Sequence, residues 1–381
     1  MRIRVTLPKV EPTVYETPET CPHGCGGRHF KPHGVKGEVK PLRDTRYSEV
    51  QSYRLTCVRC GRHFRVYPRG VGPGPQSARL QGLTVLLYVL GLSYGAVEDF
   101  TTAMGCPVSK TTAYNNVQAA GAKAREHQRV TVAQGGKRAV IGADGTYLQL
   151  KGQRVGIAVV VDDHNGELLG LEVIASENAA ELLDVIRAVA QEVAAEVLVS
   201  DDHGAYKEVA DTLGLEQQLC RRHVRENVEG TTDDLNQQMQ QAEPPPVDSG
   251  LDPDQLVADL EQLRDLVRTR PPDGETQLER LYDRYKVVPA PPVGQRHSVW
   301  YRMRMAVTRL WDRWRCLTLY QRRNDLDGTN NTSERLIGWW IKERYRPMRG
   351  YKREESIKNV VTLTARMGVR SGHYDLAELY A

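Results

Sequence analysis

Between residues 139 and 220 the chain alternates strand-like and helix-like segments in an order that a layered α/β domain satisfies. AVIGADGTYLQL, VGIAVVVDD, LLGLEVI and EVLVSDD are short runs rich in Val, Ile and Leu, the composition of buried strands. DDHNG, between the second and third runs, reads as a hairpin turn. Helical stretches at 179–193 and 205–213 follow the third and fourth runs, and LEQQLC supplies a short fifth strand. Three strands, helix, strand, helix, strand predicts a mixed sheet covered by helices.

The 381 residues allow further domains on either side, so the expected class is multidomain α/β. Residues 1–75 lack helical periodicity and close on the linker-like run YPRGVGPGPQ. Residues 76–130 turn helical, with Leu80, Leu83, Leu86, Leu87 and Leu90 at three- and four-residue spacing. Ser93 and Ser109 are candidate caps of two further helices separated by Gly105-Cys106-Pro107. That length and break predict a helix-turn-helix domain, with Lys110, Thr111, Thr112, Tyr114 and Asn115 at the start of its recognition helix as DNA-contacting candidates. A plain helical bundle with a polar surface is the blander alternative.

Residues 131–225 then form the first part of the α/β core, 226–324 a helical insertion and 325–381 a C-terminal helical part of the core. The insertion is interrupted at EPPPVDSGLDPD, RPPDG and VPAPPVG, the first of which reads as a disordered loop. No run is long and apolar enough to span a bilayer, and MRIRVTLPKVEP lacks a signal-peptide core. No membrane partner is expected, and the expected location is cytoplasmic, associated with the nucleoid.

Charge is nearly balanced, 52 basic against 48 acidic residues, but residues 296–353 concentrate arginine. Such a segment on a near-neutral chain suits a local polyanion contact. In WYRMRMAVTRLWDRW, Trp300, Trp311 and Trp314 read as packing and the interleaved arginines as phosphate contacts.

Four of the seven cysteines form two close pairs, Cys21-Pro-His-Gly-Cys25 and Cys57-Val-Arg-Cys60. Each pair can turn around one side of a tetrahedral ion, which predicts a structural Zn²⁺ in a zinc-ribbon-like module. His23, His29 or His63 could replace a cysteine in the ligand set.

Acids at strand ends supply the candidate chemistry. Asp144 ends the first apolar run and Asp201 the fourth, while Glu334 opens a late helix in NNTSERL. Each has a bland alternative: a turn residue, an N-cap, or, for Asn331 and Glu334, a capping box. Asp202, Asp162 and Asp163 take the bland assignment. Together, however, carboxylates converging from such positions are what two-metal phosphoryl chemistry requires.

That arrangement is that of a ribonuclease-H-like core, and the sequence resembles DDE transposases of bacterial insertion sequences, relatives of the Mutator-like group. GADGTYLQLKG, VSDDHGAYKEVA, LCRRHVREN and NNTSERLIGWWIKERYRPMRGY carry the resemblance. It implies that Asp144, Asp201 and Glu334 are catalytic and hold two Mg²⁺ (or Mn²⁺) ions. It also implies that Cys220 and His223 are the family's Cys-x-x-His signature, with His223 close to the reacting phosphate. Asp202 stands where relatives usually have Gly, so either aspartate could face the metal. The long gap between Asp201 and Glu334 implies the helical insertion. Lys342 follows Glu334 two turns on, near the same helical face, and Lys342, Arg344, Arg346, Arg349 and Lys352 are expected to hold DNA.

The implied activity is binding of an element's terminal inverted repeats, hydrolysis at each end and joining of the 3′-hydroxyls to target DNA, by a homodimer or higher oligomer. Two alternatives remain at this point: an inactive DNA-binding regulator derived from a transposase, and a structure-selective nuclease of the same fold.

Overall fold

A computed structural model of the protein describes residues 4–34, 37–239, 249–348, 350–368 and 374–380. Its contacts divide the chain into two compact units. One comprises Met1–Thr131, Tyr147–Val155 and Leu336–Ala381, the other Val132–Thr146 and Gly156–Arg335.

The first unit begins with short strands: β1 (Val5–Thr6), β2 (Glu11–Tyr15), β3 (Phe30–Pro32), β4 (Glu38–Pro41), β5 (Glu49–Cys57), β6 (His63–Val66) and β7 (Pro68–Arg69). β5 is the organising strand, with β3, β4 and β6 all antiparallel to it. Along its first residues Val50 and Ser52 are buried while Glu49, Gln51 and Tyr53 face out, the period-2 pattern of a half-buried strand.

Three helices follow, α1 (Ala78–Val89), α2 (Tyr94–Ala103) and α3 (Lys110–Gln134). Ser77 and Ser93 cap the first two through their side-chain oxygens, and the Ser109 hydroxyl accepts the Thr112 N–H at 3.3 Å. Gly105 takes a φ of 75° between α2 and α3, a left-handed position suited to glycine. Leu80, Leu87, Val97, Cys106, Val108 and Ala113 share one small core.

In the second unit β8 (Val140–Leu150), β9 (Gln153–Asp162), β10 (Leu168–Ile174), α4 (Ala179–Val193), β11 (Val197–Ser200), α5 (Gly204–Leu213) and β12 (Glu216–Leu219) run in the order the sequence predicts. β8 and β9 extend beyond this unit at their hairpin end. The sheet order is β10-β9-β8-β11-β12, with β10 antiparallel to β9 and β11 parallel to both β8 and β12. The sheet is therefore mixed, as expected. Ile141, Ala143, Ala158 and Val160 of one face pack with Leu182, Ile186, Val209 and Tyr206 of α4 and α5.

Pairing of Val197 with Val140 and Val199 with Gly142 has a direct consequence. Continued at the same register, it brings Asp201 level with Asp144 at the same end of neighbouring parallel strands. The edge that carries one acid carries both.

The insertion consists of α6 (Arg221–Met239), α7 (Pro253–Thr269), α8 (Gly274–Tyr285) and α9 (Val299–Leu317). Leu235, Leu260, Leu278, Met303, Val307 and Leu310 form its core, which is continuous with Leu219 of β12. Trp300 and Trp314 are 2% and 3% exposed, and Trp311 packs on Tyr282 with ring centroids 5.1 Å apart, so these tryptophans are core residues as expected. Half of the EPPPVDSGLDPD segment, expected to be a disordered loop, lies outside the described residues.

The chain then forms α10 (Asn331–Leu336), a π-helical stretch (Ile337–Lys342), α11 (Glu343–Tyr345), α12 (Glu354–Met367) and β13 (Tyr374–Asp375), which pairs with β1. By contacts, Leu336–Ala381 groups with the first unit. The reason lies in α12, whose Asn359 packs so closely on Gly121 of α3 that a Cβ there would sit 2.7 Å from the Asn359 carbonyl oxygen. Among the described residues no helix is long and apolar enough to cross a membrane.

Gly274 opens α8 against the Trp314 ring, 2.0 Å from where a Cβ would stand. Gly274→Ala is expected to destabilise the protein by about 1–3 kcal/mol through overpacking. Urea denaturation followed by tryptophan fluorescence measures this.

Candidate functional site

Asp144 lies on β8, two residues beyond Gly142, the last residue of β8 paired to β11. Its carboxyl is pushed up to about 7 by burial and by the charges of Asp201, Glu334 and Glu177, although the Gly145 N–H at 2.8 Å favours the ionised form. Four acids from four segments thus share one electrostatic neighbourhood. Three of them are the acids the sequence singled out.

Asp201 and its neighbour point to different tasks. The Asp202 carboxylate is 9% exposed, with Arg309 at 2.7 Å, Arg313 at 2.9 Å and Asn227 at 3.2 Å, so it ties the end of β11 to the helical insertion. The Asp201 carboxylate accepts the local His203 N–H at 3.0 Å. Asp201 is thus the acid whose charge acts on Asp144.

Glu334 does not close a capping box. Its Oε2 pairs with Arg222, and its Oε1 lies 3.6 Å from His223 Nδ1. The residue that anchors the start of α10 is Asn330, fully buried, which donates to the Ala143 carbonyl at 3.3 Å and accepts the Ser333 hydroxyl. Asn330 therefore fastens the Glu334 helix to the strand residue preceding Asp144. Sequence reasoning missed it because one asparagine in NNTSERL looks like the other.

Glu177 and Tyr206 were also missed. The buried Tyr206 hydroxyl donates to Glu177 Oε1 at 2.6 Å, and a Cβ on Gly145 would lie 2.5 Å from the same oxygen. Gly145 is glycine for close approach, a reason invisible before the fold is known.

Cys220 directly follows β12, where its N–H bonds the Ser200 carbonyl at 2.8 Å, and His223 follows on the first turn of α6. The Glu334 side chain joins them: ligand atoms of Cys220, His223 and Glu334 all lie within 4.8 Å of one another. Carboxylate oxygen donors such as those of Asp144, Asp201 and Glu334 fit Mg²⁺ or Mn²⁺.

The four N-terminal cysteines form the other cluster. Cys21 and Cys60 sulfurs lie 3.8 Å apart and Cys25 and Cys57 sulfurs 3.6 Å apart. A tetrahedron with metal–sulfur bonds of about 2.3 Å has edges of roughly 3.8 Å, so the set fits Zn²⁺. The Cys60 and Arg59 backbone N–H groups draw the Cys57 thiol down to about 7 against the effect of its burial. Gly27 fits only as glycine, since a Cβ would stand 2.6 Å from Cys57 Sγ. The histidines are engaged elsewhere, His23 with the His63 carbonyl and His63 with Thr56.

The DNA-contact candidates divide. Lys110, Thr111 and Asn115 are exposed along the start of α3. Thr112 bonds the Ser109 cap, and the Tyr114 hydroxyl lies 3.2 Å from Ser356 Oγ while its ring meets Tyr94, so both are occupied structurally. Lys342, Arg346 and Lys352 are exposed, and Arg349 lies outside the described residues. Arg344 is a correction: it is 5% exposed, stacked 3.8 Å over the Tyr88 ring, and unavailable to a polyanion. The expected alignment of Lys342 with Glu334 also lapses, because the π-helical stretch breaks the α-helical register. Several insertion arginines are neutralised as well, Arg302 by Asp234, and Arg309 and Arg313 by Asp202.

The sequence profile described as Transposase IS66 family matches residues 75–344, and the chain belongs to that family. No curated protein matches it. Among solved structures it is similar to the Drosophila P element transposase strand transfer complex, at 8% identity and a TM-score of 0.39, covering 76% of this chain and 91% of that one. It is also similar to the Mos1 transposase catalytic domain with Raltegravir and Mg, at 9% identity, TM-score 0.18, and coverage of 52% and 90%. A third is the HTLV-2 integrase catalytic core domain in complex with magnesium, at 14% identity, TM-score 0.20, and coverage of 33% and 84%.

Two predictions follow from the charges. Between about pH 4 and pH 7 an unfolded Asp144 ionises while the folded one stays protonated, so without divalent ions stability falls as pH rises through that window. Asp144→Asn is expected to flatten that slope, and Mg²⁺ to raise the melting temperature of the wild type above pH 7 but not of the variant. Separately, Asp202→Ala is expected to cost about 1–3 kcal/mol by stranding half-buried Arg313, whereas Asp201→Ala leaves stability unchanged or raised. Chemical denaturation of the two variants side by side checks it.

Proposed function

We propose that this member of the family is a DDE-type transposase that binds the terminal inverted repeats of its element, hydrolyses a phosphodiester at each end and joins the freed 3′-hydroxyls to target DNA. The observation that carries the proposal is the convergence of Asp144, Asp201 and Glu334, from β8, the end of β11 and α10, on one electrostatic site. Bound Mg²⁺ or Mn²⁺, two per site, would activate the attacking oxygen and stabilise the leaving one.

The chain's own residues supply the rest. Asp144 and Asp201 hold cations from the rigid sheet edge, and Glu334 completes the ligand set from a helix pinned by Asn330. His223, beside Glu334, is suited to contact the reacting phosphate. Arg222 neutralises Glu334 until a cation takes its place, and can fall back on Glu226, whose carboxylate it also touches at 3.1 and 3.2 Å. Lys110, Thr111 and Asn115 are the remaining candidates for reading the repeat within a helix-turn-helix, and Lys342, Arg346 and Lys352 for holding the backbone. Zn²⁺ on Cys21, Cys25, Cys57 and Cys60 is structural. Both element ends must be processed together, so the acting form is a dimer or larger on DNA.

The test is a cleavage and joining assay on labelled element-end DNA with Mg²⁺ or Mn²⁺. Wild type is expected to cleave and join, and Asp144→Ala, Asp201→Ala and Glu334→Ala to fall to background while still binding ends. Cleavage without joining would indicate the nuclease alternative, and binding without cleavage the regulator.

A further inference from the structure

The Cys220–His223–Glu334 cluster has a donor set unlike that of the carboxylate site it adjoins. We infer that it binds a borderline-soft divalent cation, Zn²⁺ before Mg²⁺, and that this ion withdraws Glu334 from the catalytic site. The inhibitory consequence rests on the role proposed for Glu334 above; the binding does not.

Three observations carry the inference. Ligand atoms of the three side chains already lie within 4.8 Å of one another. His223 Nδ1 and Glu334 Oε1 are both shielded from solvent, lack any hydrogen-bond partner and lie 3.6 Å apart. Two such atoms facing each other leave a costly pair of unsatisfied groups that one cation between them would satisfy. Finally, thiolate, imidazole and carboxylate together select Zn²⁺, which takes three protein ligands and a water, whereas Mg²⁺ prefers oxygen alone.

The geometry also supplies a gate. Arg222 pairs with Glu334 and lies 3.1 Å from His223 Nε2. Coordination through Nδ1 puts the imidazole proton on Nε2, where Arg222 cannot stay as a donor. Arg222 then retreats to Glu226, and a divalent charge replaces a single one. The Cys220 thiol proton is released to solvent as the metal–sulfur bond forms.

The experiment uses the full-length chain, stripped of metal, reloaded with Zn²⁺ and analysed by metal-counting mass spectrometry. Wild type is expected to hold two equivalents, one on the N-terminal cysteines and a weaker one at Cys220. Cys220→Ala and His223→Gln should each hold one, and Arg222→Ala should bind the second equivalent more tightly than wild type. Co²⁺ loading should give a thiolate charge-transfer band for the second equivalent that Cys220→Ala lacks. In the Mg²⁺ cleavage assay, added Zn²⁺ should inhibit the wild type while Cys220→Ala resists. A single equivalent in wild type, or a second one that survives in both Cys220→Ala and His223→Gln, overturns the site. Zinc bound at Cys220 without inhibition of an active enzyme overturns the competition. Zinc bound there in a chain that never cleaves DNA supports the site and overturns the transposase reading instead.

Discussion

The parallel register of β11 on β8 is the constraint from which the site follows. By bringing residue 201 level with residue 144, it sets two carboxylates side by side at one edge of a sheet whose interior is Val, Ile and Ala. A backbone ladder cannot slip by one residue without exchanging Leu198, buried against α4 and α5, for Val197 and Val199, buried on the other face. The acids are therefore held together by the burial of their apolar neighbours, and their mutual repulsion is a cost carried by the core.

Much of the surrounding polar structure manages that cost. Asn330 fastens α10 to Ala143, so Glu334 arrives at a defined place. Arg222 offers Glu334 a removable positive charge, and Tyr206 gives Glu177 a hydrogen-bond donor. Asp202 illustrates the opposite solution. One residue from Asp201, it is committed to Arg309 and Arg313 and joins sheet to insertion. Adjacent aspartates thus divide, Asp202 paired with two arginines and Asp201 acting on Asp144.

The elements were legible wherever periodicity was strong. The five core strands, α4, α5 and the serine caps follow from local pattern, and the paired cysteines meet at sulfur–sulfur distances that suit a metal. Misreadings arose where local features have several uses. Arg344 sits in a basic run yet stacks on Tyr88, since a guanidinium serves an aromatic face as well as a phosphate. Tyr114 lies where a recognition helix would present it, but its hydroxyl meets Ser356. A π-helical stretch after Leu336 cannot be foreseen from residue spacing that presumes an α-helix.

By itself the sequence determined which residue types stand at strand ends, where helices start, and that four cysteines come in two close pairs. Those properties are local, set by side-chain chemistry and by periods of two and of three to four residues. Only the tertiary structure decided that Asp201 acts on Asp144 while Asp202 pairs with two arginines, that Glu177 is a fourth acid there, and that Glu334 meets Cys220 and His223. Each of those depends on which segments distant in sequence are pressed together, and that is chosen by the burial of whole faces rather than by any motif.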